Sequence, residues 1–204
     1  MIPIERIMRS APVIPVLVIE DVAHARPIAE ALVAGGLPVL EVTLRTPAAL
    51  EAIAEMKRVP GAVVGAGTVV DVAGLDAALQ AGAEFIVSPG LTERLGAAAK
   101  ARAVPFLPGV ANAGDIMRGL ELGFTHFKFF PAESSGGVSA LKALLGPFAQ
   151  CQFCPTGGIT PERAAAWFAL PQVLCVGGSW LVPKGAPDMA AITAAARAAV
   201  ALRP

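Results

Sequence analysis

From end to end the chain repeats one pattern: a short run rich in Val, Ile or Phe, a break at Gly, Pro or Thr, then an Ala-rich stretch with helical spacing. The runs predict strands beginning near Val13, Val39, Ala62, Glu84, Pro105, Thr125, Gln152 and Val173, each followed by enough residues for a helix to cross back. Strict alternation of strand and helix predicts a parallel sheet. Eight units with nothing left over predict an α/β protein closed into a (β/α)8 TIM barrel, with an open doubly wound sheet as the structural alternative. Ile2 to Ser10 carry apolar spacing suited to a short extra N-terminal helix over the lower end of the barrel. No linker or low-complexity segment interrupts the 204 residues, so 1–204 reads as one domain.

Inside such strands a polar side chain is expensive, and its position is informative. The sixth strand reads Thr125-His126-Phe127-Lys128-Phe129-Phe130-Pro131, a lysine among phenylalanines with no acid adjacent in sequence. A lysine snorkelling from a strand end to solvent is the bland alternative. Burial disfavours a charged ammonium, so the position predicts a neutral amine able to attack a ketone. The protonated imine that results accepts electrons when a bond to the neighbouring carbon breaks, which is class I aldolase chemistry. The second strand, Val39-Leu40-Glu41-Val42-Thr43-Leu44-Arg45, separates by period two into an apolar face and a face carrying Glu41, Thr43 and Arg45. If that face looks inward, Glu41 is a general acid/base and Arg45 a clamp for a substrate carboxylate. An internal Glu-Arg pair is the equally weighted structural reading. An ionised Glu41 would favour the ammonium of Lys128, and Arg45 is expected to offset its field, the three titrating together.

Thr156-Gly157-Gly158-Ile159 after the seventh strand and Gly177-Gly178-Ser179-Trp180 after the eighth read as glycine turns entering helices, where backbone N–H groups bind anions. Two such turns in consecutive units point to a phosphorylated substrate. Thr68, in Gly65-Ala66-Gly67-Thr68, is positioned to donate to a carboxylate, whereas Ser88 and Gly90 read as turn chemistry alone. His126 shares the face of Lys128 but reads as a satisfied core residue. Cys151 and Cys154, three apart in a strand, face opposite ways, so neither metal nor redox chemistry is read from them. Two histidines and no clustered carboxylates leave few ligands for a divalent metal.

Composition narrows the partners. A formal net charge of zero argues against nucleic acid. The uncharged stretch from Ala164 to Pro183 is broken by Pro171, Gly177 and Gly178, which argues against a membrane helix. Ala11 to Ile19 is interrupted by prolines and followed by Glu20-Asp21, so it reads as a first strand rather than a signal peptide. Three cysteines leave one unpaired in any disulfide scheme and predict a reducing, cytoplasmic setting. An apolar fraction of 55% predicts strands buried on both faces and a subunit interface besides.

Six ordered segments carry a further signal: Val39-Leu-Glu-Val-Thr-Leu-Arg45, Val64-Gly-Ala-Gly-Thr68, Ser88-Pro-Gly-Leu-Thr92, Phe127-Lys-Phe-Phe-Pro-Ala-Glu133, Phe153-Cys-Pro-Thr-Gly-Gly-Ile159 and Gly177-Gly-Ser-Trp-Leu181. Together they resemble the 2-keto-3-deoxy-6-phosphogluconate (KDPG) and 4-hydroxy-2-oxoglutarate (KHG) aldolases over nearly the whole chain. The resemblance implies a homotrimer of (β/α)8 barrels needing no metal or organic cofactor, with Lys128 forming the Schiff base and Glu41 handling protons. It implies that Arg45 and Thr68 hold the carboxylate of a 2-keto acid with Pro89 lining the pocket, and that Thr156 faces the phosphorylated aldehyde. Gly157, Gly158, Gly178 and Ser179 would bind its phosphate. The segments Gly109-Val-Ala-Asn-Ala-Gly114 and Ala132-Glu-Ser-Ser135 depart from the family pattern. The alternatives are a 2-keto-3-deoxy-6-phosphogalactonate aldolase, a noncovalent sugar-phosphate isomerase or epimerase on the same barrel, and a silent sugar-phosphate sensor.

Overall fold

The computed structural model describes residues 3–202. Its strands are β1 (Val13–Leu17), β2 (Val39–Thr43), β3 (Val63–Gly67), β4 (Ile86–Val87), β5 (Phe106–Leu107), β6 (Gly109–Val110), β7 (His126–Phe129), β8 (Gln152–Pro155) and β9 (Val176–Gly178). Every ladder is parallel. One curled sheet has the order β5-β4-β3-β2-β1-β9 and a second the order β6-β7-β8. The fifth expected strand is present in two pieces because Pro108, which has no N–H to give, separates β5 from β6. Its carbonyl still accepts from Lys128 N at 2.9 Å. Single parallel bridges, Phe153 to Val173 and Thr156 to Gly177, join the β8 side to the β9 side. The last strand therefore enters its ladder at Val176 rather than Val173, the preceding residues leaning toward β8 through Leu174 N to Phe153 O at 3.0 Å.

Between the strands lie helices α1 (Ile4–Arg9), α2 (Ala25–Ala34), α3 (Ala49–Met56), α4 (Val72–Gln80), α5 (Glu93–Ala101), α6 (Ala113–Glu121), α7 (Gly137–Leu145), α8 (Pro161–Phe168) and α9 (Met189–Val200). Side chains that favour N-caps start four of them: Asp71, Thr92, Asn112 and Asp188 each accept a first-turn N–H. Among the described residues no helix is long and apolar enough to cross a membrane.

Period two divides the core in two. Leu40, Val42, Phe127, Phe129 and Phe153 pack in the larger cluster with helical residues such as Leu32, Ile53 and Trp167. Val39, Leu107 and Cys154 belong to a second cluster that Ile7 and Met8 of α1 join. The extra helix thus forms and packs where the apolar spacing put it, while Ile2 lies outside the described residues. Cys151 belongs to the first cluster and Cys154 to the second, opposite faces as their offset requires.

Candidate active site

Lys128 and Glu41 share the side of the sheet opposite Phe127, Phe129, Leu40 and Val42, and both are withdrawn from solvent, at 5% and 3% exposure. Lys128 Nζ donates to Glu41 Oε1 at 3.1 Å, an ion pair across 87 positions of sequence. The ammonium also stands 5.2 Å from the centroid of the Phe130 ring, within cation–π range. The rings of Phe127 and Phe129 contribute to the helix-side cluster instead, so the expected phenylalanine surround is largely a counter-charge and one ring.

Register fixes this pair. Lys128 lies opposite Gly109 and Cys154, and Glu41 opposite Val16 and Gly65. Gly67 makes the space: a Cβ there would overlap Glu41 Oε1 and stand 2.7 Å from its Cγ and Cδ. Sequence reading missed this residue, although a second glycine in a strand so short is itself a sign of close approach. Thr43 Oγ1, on the same face, donates to Leu17 O at 2.8 Å and is spent on the fold.

Arg45 does not continue that face. The strand stops at Thr43, and Arg45 N folds back onto Thr43 O at 2.8 Å, so the side chain emerges from an exposed turn. Among the described residues the Arg45 side chain makes no hydrogen bond or ion pair, and Glu41 pairs with Lys128, so the internal Glu-Arg pair is not formed. Arg45 instead lines a cleft of about 620 Å³ with Thr46, Ser179, Glu20, His24 and Lys184. Lys128 and Glu41 are not among its walls. Thr68 follows β3 with φ 58, a left-handed conformation that costs a threonine of order 1–3 kcal/mol and persists only where its surroundings impose it. Pro89 is half-buried after β4, and Ser88 Oγ donates to Gly90 O at 2.6 Å, the turn role expected of it.

The two glycine segments differ. Gly157 and Gly158 form a left-handed turn, φ 106 and 77, that leads through Thr160 into α8, as expected. Gly177 and Gly178 lie within β9, and the next helix begins only at Met189, where Asp188 accepts from Ala190 N and Ala191 N. No helix start stands behind Gly178 or Ser179, which corrects that part of the anion argument; Ser179 is exposed on the cleft wall. Thr156 is buried, and a Cβ on Gly177 would stand 2.7 Å from its Cγ2, so that glycine seats the threonine.

His126 sits at the start of β7 beside α1. Its Nε2 is 4.0 Å from Glu5 and has no hydrogen-bond partner, which corrects the expectation of a satisfied residue. Burial holds its pKa below the usual 6.5, with Glu5 opposing and Arg9 adding to the shift. Among the described residues no three His, Cys, Asp or Glu side chains cluster as metal ligands.

Comparison with known proteins places these features in context. The family model "KDPG and KHG aldolase" matches residues 4–195. A 2-dehydro-3-deoxy-phosphogluconate aldolase of Zymomonas mobilis is 64% identical over 200 residues, 98% of this chain and 96% of the relative. The crystal structure of such an enzyme from Zymomonas mobilis ZM4, with 3-phosphoglycerate, has a TM-score of 0.97 at 64% identity, covering 98% of this chain and 96% of that one. A KDPG aldolase from Legionella pneumophila, with pyruvate captured at low pH as a covalent carbinolamine intermediate, has a TM-score of 0.95 at 44% identity, covering 98% and 99%.

Proposed function

Because the chain belongs to the KDPG and KHG aldolase family, we propose that Lys128 is its Schiff-base lysine and Glu41 its proton-transfer group. The protein is a lyase that cleaves 2-keto-3-deoxy-6-phosphogluconate to pyruvate and glyceraldehyde 3-phosphate. The observation that carries the residue assignment is the buried Lys128–Glu41 contact of 3.1 Å. It is a direct path along which the ammonium gives up a proton to the carboxylate.

The free amine adds to the C2 ketone to give a carbinolamine, and Glu41 returns the proton to the departing hydroxyl, so that water leaves, the protonated imine forms and the carboxylate is free again. Glu41 takes the C4 hydroxyl proton, the C3–C4 bond breaks toward the imine, and the aldehyde leaves. Protonation of the remaining enamine at C3 and hydrolysis release pyruvate and restore Lys128. Around this centre, Arg45 and Thr68 hold the pyruvyl carboxylate beside Pro89, and Thr156 faces the aldehyde portion. Gly157, Gly158, Gly178 and Ser179 take the phosphate. The left-handed glycine turn, with no Cβ in the way, and the exposed Ser179 hydroxyl support the phosphate assignment. High identity to an enzyme named for the gluconate substrate favours that configuration over the galactonate one. The same chain is expected to cleave 4-hydroxy-2-oxoglutarate, whose keto-acid half is identical.

As for architecture, the whole chain 1–204 is one domain whose two sheets close into a (β/α)8 barrel. Support comes from the 108 break inside a continuous run and from the Thr156–Gly177 bridge on the other side. A homotrimer, working in the cytoplasm in Entner–Doudoroff sugar-acid breakdown, completes the reading.

Borohydride reduction in the presence of pyruvate, followed by peptide mass spectrometry, tests the covalent step. A reduced pyruvyl adduct on Lys128 is expected. Folded protein with no adduct at saturating pyruvate, or with the adduct on another lysine, overturns the assignment.

A further inference from the structure

The segment after the Lys128 strand holds a carboxylate, Glu133, that the chemistry above does not use. Glu133 Oε1 accepts from Trp167 Nε1 and Oε2 from Arg163 Nη1, each at 3.1 Å, so one side chain binds two residues of α8. Its backbone turns the other way: Glu133 N donates to Gly157 O at 3.1 Å, and Ala132 N to Thr156 O at 2.8 Å. The glycine turn fits closely against it, since a Cβ on Gly158 would stand 2.9 Å from Glu133 Cβ and 3.0 Å from Cγ. Glu133 thus ties together the end of the lysine strand, the Gly157–Gly158 turn and the helix that the turn leads into.

We propose that Glu133 is a positioning residue for the phosphate end of the substrate: it locks the Gly157–Gly158 turn in register with Lys128, so that a phosphorylated chain bound at the turn presents its ketone to the amine. The strength of the lock comes from Trp167 rather than Arg163. Trp167 is fully buried, and its indole N–H loses its only acceptor among the described residues if Glu133 is truncated, whereas the Arg163 guanidinium is 63% exposed and water can replace its partner. Without the lock the turn keeps its glycines but loses its fixed place. Binding of the phosphate then has to order the turn first, a cost that falls on substrates that use the turn and not on those that do not.

This inference rests on the assignment of Gly157 and Gly158 to phosphate, and the test keeps the two apart. Steady-state kinetics of the purified full-length protein are measured with 2-keto-3-deoxy-6-phosphogluconate and with unphosphorylated 4-hydroxy-2-oxoglutarate. In Glu133→Ala the KM for the phosphorylated substrate should rise about tenfold or more, the scale of one lost hydrogen bond to a buried donor, with kcat and the unphosphorylated kinetics within about threefold. Glu133→Gln keeps an acceptor for Trp167 and should restore the phosphorylated KM to within about threefold of wild type. Trp167→Phe, which removes the same bond from the other side, serves where Glu133→Ala does not fold, and should raise the phosphorylated KM selectively. Equal losses for both substrates, or a Gln variant as impaired as Ala, overturn the positioning role while leaving the wild-type preference intact. A wild type that does not itself favour the phosphorylated substrate removes the phosphate site, and the inference falls with it.

Discussion

Gly67→Ala tests whether the position of Glu41, and not merely its presence, drives the reaction. The added methyl would overlap Glu41 Oε1 and stand 2.7 Å from both Cγ and Cδ. Real Cβ contacts are not that short, so the Glu41 side chain must leave its place. Moving it breaks the 3.1 Å bond to Lys128. A hydrogen bond between charged groups contributes about 1.5–3 kcal/mol, and a positioned proton-transfer group contributes about 10²–10⁴ in rate. The variant should therefore lose about 10²–10³ in kcat, or roughly 3–4 kcal/mol of transition-state stabilisation. The rim residues that hold the substrate are untouched, so KM should stay within about threefold. Pyruvate release coupled to NADH oxidation by lactate dehydrogenase reads both constants. Gly65→Ala is the control on the same strand: it is the ladder partner of Glu41, but the atoms nearest an added Cβ would be those of the buried Phe85 ring, at 2.5 Å, rather than the carboxylate. It should cost about 1–3 kcal/mol of stability through overpacking and leave kcat of the folded protein within about threefold. If folded Gly67→Ala keeps kcat within threefold of wild type, the carboxylate's geometry does not limit the reaction and its assigned role is wrong.

Three further outcomes follow from the geometry. Lys128→Met should fold yet show neither measurable pyruvate release nor a borohydride-trapped adduct; the stranded Glu41 carboxylate should lower stability by about 3–5 kcal/mol, and an unchanged denaturation midpoint would contradict the buried pair. Ser179→Ala should weaken binding of the phosphorylated substrate by about 1.5–3 kcal/mol and spare 4-hydroxy-2-oxoglutarate; equal effects on both would take Ser179 out of the phosphate site. His126 is half-buried with a lowered pKa, so the native state favours its neutral form. Its contribution is complete above the unfolded value of 6.5 and lost as pH falls below it, because the unfolded chain takes up the proton first. Urea denaturation at pH 7.5 and 5.5 should show a larger loss for wild type than for His126→Gln, and identical losses would refute the linkage.

What could be read from sequence was what periodicity controls. Lys128 and Glu41 were legible because a charged residue at an inward strand position has few structural reasons to be there, and alternation alone tells which way it faces. Arg45 was misplaced for the same reason: the alternation was extended two residues past Thr43, where the backbone had already turned on itself. The second glycine segment was misread because Gly-Gly marks a turn in most settings, while here Gly177 and Gly178 serve close packing inside β9, against Thr156 and the Trp180 ring. Gly67 and Glu133 were missed because their function lies in contacts to distant residues. Nothing in local composition says that a glycine makes room for a carboxylate 26 positions earlier, or that an acid holds a tryptophan 34 positions later.

The interior and the rim of the site obey different physics, and this explains how one scaffold separates reactivity from selectivity. The Lys128–Glu41 pair is held by the register of four ladders among six strands and is almost closed to water. Replacing such a pair with apolar residues of similar volume often stabilises a protein by about 1–4 kcal/mol, so stability alone gives no reason to keep it there, whereas the proposed chemistry does. The proposed rim lies in segments beyond the strand ends, at Arg45, Thr68, Gly157 and Ser179, with a left-handed φ of 58 at Thr68 and, in its proposed role, Glu133 fixing the glycine turn. On the proposed assignments, changes at the rim should alter which substrate is held and how well, because each segment would meet one part of it. If Lys128 and Glu41 act as proposed, changes in the interior should alter whether the carbon–carbon bond breaks at all, because every substrate would meet the same amine and the same carboxylate.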